Sequence, residues 1–255
     1  MKIVYHPYFC NSDYSTDPAA EQGRIECVIE ELKDVPGLEL CRPEPAPREK
    51  LELVHDQQHI QSIKQRSKEL YYMSKLSAGG ALLAGKLAYD EVPTFAVIRP
   101  PGHHASPDSN WGFCYFNNMA VAIKNLRFRG KIRSAFIMDF DLHLGDGNIN
   151  CLGDGLDIEI VNPSAEERVD YLEEVEKYLK EADTCDILGV SAGFDQHVDD
   201  WGGTLKTEDY RKLGNLLTDF SRKKCNGRRF ALLEGGYNHD VLGKNVSAFV
   251  QGFSD

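Results

Sequence analysis

At 255 residues the chain can bury a substantial core, as one large α/β domain or two small ones. Its formal net charge of −11 argues against nucleic-acid binding and leaves room for a cationic substrate. No apolar stretch approaches the ~20 residues of a membrane span, and the apolar run in MKIVYHPYF is too short for a signal peptide. Seven cysteines (Cys10, Cys27, Cys41, Cys114, Cys151, Cys185 and Cys225) are scattered singly with no CxxC, which suits reduced thiols in a cytoplasmic protein.

In chain order, residues 2–5 (KIVY) read as a short strand. Asp17-Pro18 has the chemistry of a helix start, with Ile25, Val28, Ile29 and Leu32 as its apolar stripe. The Pro-rich segment 35–48 reads as loop, 51–70 as helix in at least two pieces, and 77–89 as a helix of small residues that suits close packing on a sheet. A strand at 94–98 runs into Arg99-Pro-Pro-Gly-His-His104, and a helix is predicted over 118–126. After the strand at 134–139 come a short strand at 157–161 and a helix from Ser164. Ser164 and Glu167 make a capping box there, with Val169, Leu172, Val175 and Leu179 inward. A strand at 187–190, a helix at 207–224, a strand at 230–233 and a last helix to about Phe253 complete the chain, and the basic run 222–229 reads as a solvated turn. Alternation of strands and helices without a linker or repeat predicts one α/β domain over residues 1–255, a mainly parallel central sheet with helices on both faces.

The most informative stretch is 134–147, SAFIMDFDLHLGDG. An apolar strand breaks into Asp139, Asp141 and His143, and on an extended chain residues two apart point to the same side. Buried charge is costly unless it is paired or holds a metal, and Asp-x-His offers an oxygen and a nitrogen to Zn²⁺ or a similar ion. A strand-end turn with Asp and His in water is the plain alternative. A calcium loop fits less well, because His143 stands where an EF-hand needs an oxygen ligand. Three other strands end in polar outliers: His103-His104, Asp195, and Tyr237 behind Gly235-Gly236. In open parallel sheets ligands bind at the carboxyl ends of strands, so four runs aim their unusual residues at one place.

In order and spacing, PPGHHA, GFCYFNN, DFDLHLGDG, SAGFD and EGGYN resemble the histone deacetylase superfamily, which holds lysine deacetylases, acetylpolyamine amidohydrolases and acetoin-utilisation proteins. The resemblance runs from the first strand to the last helix. It implies an arginase/deacetylase-like fold and a zinc-dependent amidohydrolase, with ferrous iron as an alternative metal. Carried over by position, the metal ligands are Asp141, His143 and Asp195. His103 and His104 are the tandem histidines that move protons, Asp139 and Asp146 the carboxylates that orient them, and Tyr237 the oxyanion stabiliser. Gly112 and Phe113 match the wall of an acyl-lysine tunnel, and Gly235 and Gly236 stand at the substrate. Asp139 also matches part of a structural potassium site.

The chain departs from the pattern in three places. Leu144 stands where a second histidine is usual. The Pro/Gly-rich loop that supplies a second aromatic wall is missing, since 157–162 passes almost directly into the next helix. Asp17-Pro-Ala-Ala-Glu21 replaces the usual early motif. The substrate implied is an acylated lysine peptide or a small acylated amine, handled by a cytoplasmic monomer that binds neither nucleic acid nor membrane. The rivals are an arginase-like ureohydrolase, disfavoured by Gly145 where a bridging carboxylate is wanted; a catalytically silent acyl-lysine reader, disfavoured by retention of His103, His104 and Tyr237; and a structural zinc site, which wants four protein ligands.

Overall fold

A seven-stranded sheet in the order β2-β1-β3-β7-β6-β4-β5 forms the centre of the computed structural model, which describes residues 1–90, 92–153 and 157–254. The strands are β1 (Lys2–Val4), β2 (Glu39–Cys41), β3 (Thr94–Ala96), β4 (Ser134–Asp139), β5 (Asp157–Val161), β6 (Leu188–Ala192) and β7 (Arg229–Leu233). Every pairing between them is parallel, so all their carboxyl ends lie along one edge of the sheet. Strands β3, β6 and β7 are buried along their whole length, as continuous apolar runs must be when helices cover both faces.

The helices are α1 (Arg24–Leu32), α2 (Arg48–Leu51), α3 (Gln57–Arg66), α4 (Lys68–Tyr89), α5 (Asn118–Phe128), α6 (Asp146–Leu152), α7 (Arg168–Glu181), α8 (Thr207–Lys224) and α9 (His239–Ser254). Helix α4 lies against Val4 and Ile98, and a β-carbon on Gly80 would come within 2.5 Å of Ile98 Cγ2. Val4 pairs with Ala96, so Phe95 points to the other face, where its ring meets Phe249 of α9 with centroids 5.9 Å apart. Helices therefore cover both faces, and the small residues of α4 serve close packing.

Four local expectations are corrected. Asp17 caps only a 3₁₀ turn, Pro18–Ala20, and α1 begins at Arg24 after Gly23, whose φ of +91° lies in the left-handed region. The expected loop 35–48 contains β2, an edge strand of three residues with no apolar run to announce it. No Ser164–Glu167 capping box forms, and α7 begins at Arg168. The Ser164 and Ala165 N–H groups instead both donate to the Glu174 carboxylate, at 2.8 and 3.0 Å, so the Ser164 N–H that Glu167 would have taken in a capping box is already engaged. With that start, Tyr171 takes the inward place and Val169, about 200° round the helix from it, is exposed. The basic run 222–229 is only partly a solvated turn: Arg229 is buried in β7 and its Nε donates to the Phe253 carbonyl at 3.0 Å. Cys185 and Cys225, distant in sequence, have their Sγ atoms 2.8 Å apart. Among the described residues no helix is long and apolar enough to cross a membrane.

Candidate active site

Strands β3, β7, β6 and β4 are consecutive neighbours in the sheet, and each delivers one group of polar residues past its carboxyl end. The segment after β3 carries His103, His104, Gly112 and Phe113. The segment after β4 carries Asp141 and His143 and leads into α6 with Asp146. The segment after β6 carries Asp195, and the one after β7 carries Glu234 to Tyr237.

Asp141, His143 and Asp195 each offer a ligand atom within 4.8 Å of the others. His143 Nδ1 lies 3.2 Å from Asp141 Oδ1 and 3.3 Å from Asp195 Oδ2. Both carboxylates are buried, and Asp195 Oδ2 has no hydrogen bond. Burial and the neighbouring Asp141 push the Asp195 carboxyl up to about 7. Burial opposes ionisation of Asp141 too, but His103, His143 and the N–H of Gly235 hold it below the usual carboxylate range. The hydrogen bond to Asp141, and the Asp195 carboxylate beside it, raise His143 to about 10. Two buried carboxylates with one imidazole between them are short of positive charge, which a cation would supply. Glycines leave the space for this approach: a β-carbon on Gly193 would lie 2.1 Å from Asp141 Oδ2, and one on Gly235 would lie 2.5 Å from Asp195 Oδ2 and 2.6 Å from Asp141 Oδ2. Two oxygens and one nitrogen suit a divalent ion, and three protein ligands leave coordination open.

Beside this cluster stand two carboxylate–imidazole pairs. His103 Nδ1 is 3.2 Å from Asp139 Oδ2, and His104 Nδ1 is 2.8 Å from Asp146 Oδ1. The two rings lie 3.9 Å apart. Their environments separate them. Burial disfavours a charge on His103, yet Asp141 and Asp139 prevail and raise it well above the ordinary imidazole value. Burial, and then the charge on His103, push His104 down to about 4 despite Asp146. Tyr237 presents its ring to Phe113 at 5.9 Å, and burial raises its hydroxyl, which stays protonated and able to donate. Gly112 has a φ of +58°, and its missing side chain is what admits His104, whose Cδ2 would lie 2.3 Å from a β-carbon there. Gly235 and Gly236, expected at the substrate, are both buried: the first donates its N–H to Asp141 Oδ2 at 2.8 Å, and the second packs on Leu242 and Phe194.

With this geometry in view, comparison with known sequences is decisive: a model of the histone deacetylase domain matches residues 19–162 and 152–253. The chain belongs to the histone deacetylase family. The two matched segments overlap at 152–162. Among its relatives, a probable deacetylase of Archaeoglobus fulgidus is 27% identical over 92% of this chain and 81% of its own length. A probable deacetylase of Methanothermobacter thermautotrophicus is 28% identical over 72% of this chain and 65% of its own. The chloroplastic histone deacetylase 14 of Arabidopsis thaliana is 29% identical over 65% of this chain and 48% of its own. The crystal structure of the HDA15 HD domain superposes with a TM-score of 0.85 at 19% identity, covering 99% of this chain and 88% of that one, and shows the same fold.

Around the family's motif residues stands a supporting set that the sequence did not announce. Asn148 Nδ2 donates to Asp139 Oδ2 at 3.1 Å and to Ser191 Oγ at 3.0 Å. Glu234 Oε2 accepts the N–H groups of Gly102 and His103 at 2.7 and 3.2 Å, which fixes the tandem histidines. Asp200 Oδ2 accepts the N–H groups of Tyr237 and Asn238, both at 2.8 Å. Buried Arg24 donates to the carbonyls of Gly236 at 2.8 Å and Glu234 at 2.5 Å, with its guanidinium 5.4 Å from the Tyr237 ring. Trp111 Nε1 donates to Asp146 Oδ2 at 2.8 Å. Leu144, at the position that departs from the pattern, is exposed.

Proposed function

We propose that this chain is a zinc-dependent deacylase that hydrolyses an acetyl or longer acyl amide on a lysine side chain or a small alkylamine. The observation that carries the reading is the convergence of the Asp141–His143–Asp195 cluster with two carboxylate-held imidazoles and the Tyr237 hydroxyl at the ends of four adjacent strands. Zinc held by those three ligands supplies Lewis-acid polarisation of a carbonyl and a more acidic water; ferrous iron suits the same donor set. One imidazole of the His103/His104 pair takes a proton from water and the other gives one to the leaving amine. Asp139 and Asp146 hold both rings by Nδ1, which leaves each Nε2 for this exchange. The Tyr237 hydroxyl donates to the oxygen that gains charge as the carbonyl becomes tetrahedral. Phe113 lies beside Tyr237 as one apolar wall for an alkyl chain.

Charge around the site supports an amine as the leaving group. The segments 106–116, 141–147, 196–203 and 234–238 contain no lysine or arginine, but hold Asp108, Asp146, Asp199 and Asp200 besides the buried carboxylates. Such a surround attracts cations. The test is amine release from an Nε-acetyl-lysine peptide and from an acetylated polyamine, with metal-free, zinc-loaded and Tyr237→Phe protein side by side. Turnover is expected only with metal, and a fall of about 10²–10³-fold in kcat is expected for Tyr237→Phe. Stoichiometric zinc without turnover on either substrate would refute an acetyl-amide hydrolase and shift the reading to another acyl group or to a silent acyl-lysine reader.

A further inference from the structure

The chain has two tryptophans, and both stand at this site, each 52% exposed. Neither contributes to the core. Each instead lies nearly flat on a ring of the site: Trp111 on His104, with centroids 3.8 Å apart and planes at 30°, and Trp201 on Tyr237, 4.0 Å apart at 23°. The contacts continue round the site, from His104 to His143 at 5.9 Å, from His143 to Trp201 at 6.0 Å, and from Tyr237 to Phe113 at 5.9 Å, two residues from Trp111. The indoles thus stand at two places on a series of ring contacts that passes through His143 of the metal-ligand cluster. Both are held in place: Trp111 by its N–H on Asp146, Trp201 by its backbone N–H on Asp200 Oδ1 at 2.8 Å. Leu144, after β4, and Val198, on the loop of Trp201, are also exposed. Large apolar groups left half in water forgo much of the stabilisation of burial, so folding alone does not account for an apolar rim on a site otherwise built from buried charge. Rigid, pre-placed rings bind an alkyl chain with little loss of conformational freedom, and their faces also attract ammonium groups.

We propose that Trp111 and Trp201 are specificity-determining residues, two further walls beside Phe113 that grip the chain attached to the scissile amide. This rests on the deacylase reading. It differs from that reading in predicting a binding signal that does not need turnover. Trp111→Phe leaves Trp201 as the sole indole, and Trp201→Phe leaves Trp111. Each variant is titrated, metal-free and zinc-loaded, with Nε-acetyl-lysine methylamide and with N-acetyl-1,4-diaminobutane while tryptophan emission is followed. Both variants are expected to show a saturable emission change. In steady-state assays Trp201→Ala is expected to raise KM about tenfold, and Trp201→Phe to return it to within about threefold of wild type, because a smaller ring still makes a wall. Trp111→Phe keeps the stack on His104 but loses the bond to Asp146, so its kcat falls while its KM holds. KM values for Trp201→Ala within twofold of wild type, with flat titrations, would overturn the proposal and leave the hydrolase standing. No amine release by wild type would overturn the acetyl-amide hydrolase. The titrations would then decide alone, a saturable change supporting the walls and a flat trace overturning them.

Discussion

Replacing Gly235 by alanine tests the metal cluster without touching any ligand. The added methyl would lie 2.5 Å from Asp195 Oδ2, 2.6 Å from Asp141 Oδ2 and 2.7 Å from Asp195 Cγ. Non-bonded heavy atoms settle at about 3.5 Å or more, so both carboxylates must retreat by about 1 Å. Metal sites tolerate only about 0.2 Å in ligand distance. Loss of a group that merely supports a ligand costs about 10–100-fold in affinity, and here two ligands move together. We therefore expect Gly235→Ala to weaken zinc binding about 100-fold, or about 2.7 kcal/mol. The assay is competition for zinc against a chromophoric chelator, with circular dichroism to confirm folding. Gly130→Ala is the control: its φ of +65° makes it strained too, but nothing lies within 4 Å of its β-carbon. It should bind zinc as wild type does. Zinc affinity of Gly235→Ala within threefold of wild type would refute the assignment of Asp141 and Asp195 as the ligands.

Arg24→Met should destabilise the fold by about 2–4 kcal/mol in urea denaturation, because it strands the buried carbonyls of Gly236 and Glu234, and it should lower kcat through a loosened Tyr237. His55 is pinned neutral, with Nδ1 on the Ser106 carbonyl and Nε2 accepting the Asn117 N–H, both at 2.9 Å. Burial, and then neighbouring His59, push it down to about 3 from 6.5. The unfolded chain therefore binds this proton first, so stability is intact above pH 6.5 and falls by about 1.4 kcal/mol per pH unit below it. His55→Gln should flatten that slope by one proton when unfolding is measured from pH 7 to pH 5. Glu174 is held below the usual carboxylate range by the Ser164 and Ala165 N–H groups and the Tyr178 hydroxyl, although burial opposes them. Its contribution is present above pH 4.5 and lost as pH falls through its folded value. The difference in melting temperature between wild type and Glu174→Gln should accordingly close in acid.

The parts of the fold legible in the sequence are those with one-dimensional signals. Strands β4, β6 and β7 are apolar runs that break into polar residues, and the bounds of α8 fall where its apolar period begins and ends. Strand β2 has three residues and no buried face, and α6 is seven residues whose start lies inside DFDLHLGDG, so neither had a pattern to read. The candidate ligands and imidazoles sit at motif positions and announce themselves. Arg24, Asn148, Asp200 and Glu234 do not, because their role is set by partners far along the chain: 212 residues separate Arg24 from Gly236. Trp111 and Trp201 belong with these, since an indole ninety residues from another carries no sign that both border one site.

Buried charge explains why the supporting set is as large as it is. Asp139, Asp141, Asp195 and Glu234 are all fully or nearly fully buried within one cluster of strand ends. Left bare, such a group would shed its charge or unfold its surroundings. The fold answers each carboxylate differently. Asp139 receives His103, Asn148 and the N–H of Asp141. Glu234 receives two backbone N–H groups and is still pushed up to about 7 by its burial. Asp141 takes the N–H of Gly235 and of His143. Asp195 takes only the N–H of Leu142 on one oxygen and keeps the other without a hydrogen bond. The shortfall falls on two oxygens, Asp195 Oδ2 and Glu234 Oε1, neither of which has a hydrogen bond. The first lies 3.3 Å from His143 Nδ1, inside the group of Asp141, His143 and Asp195, and there a cation would make its strongest contribution.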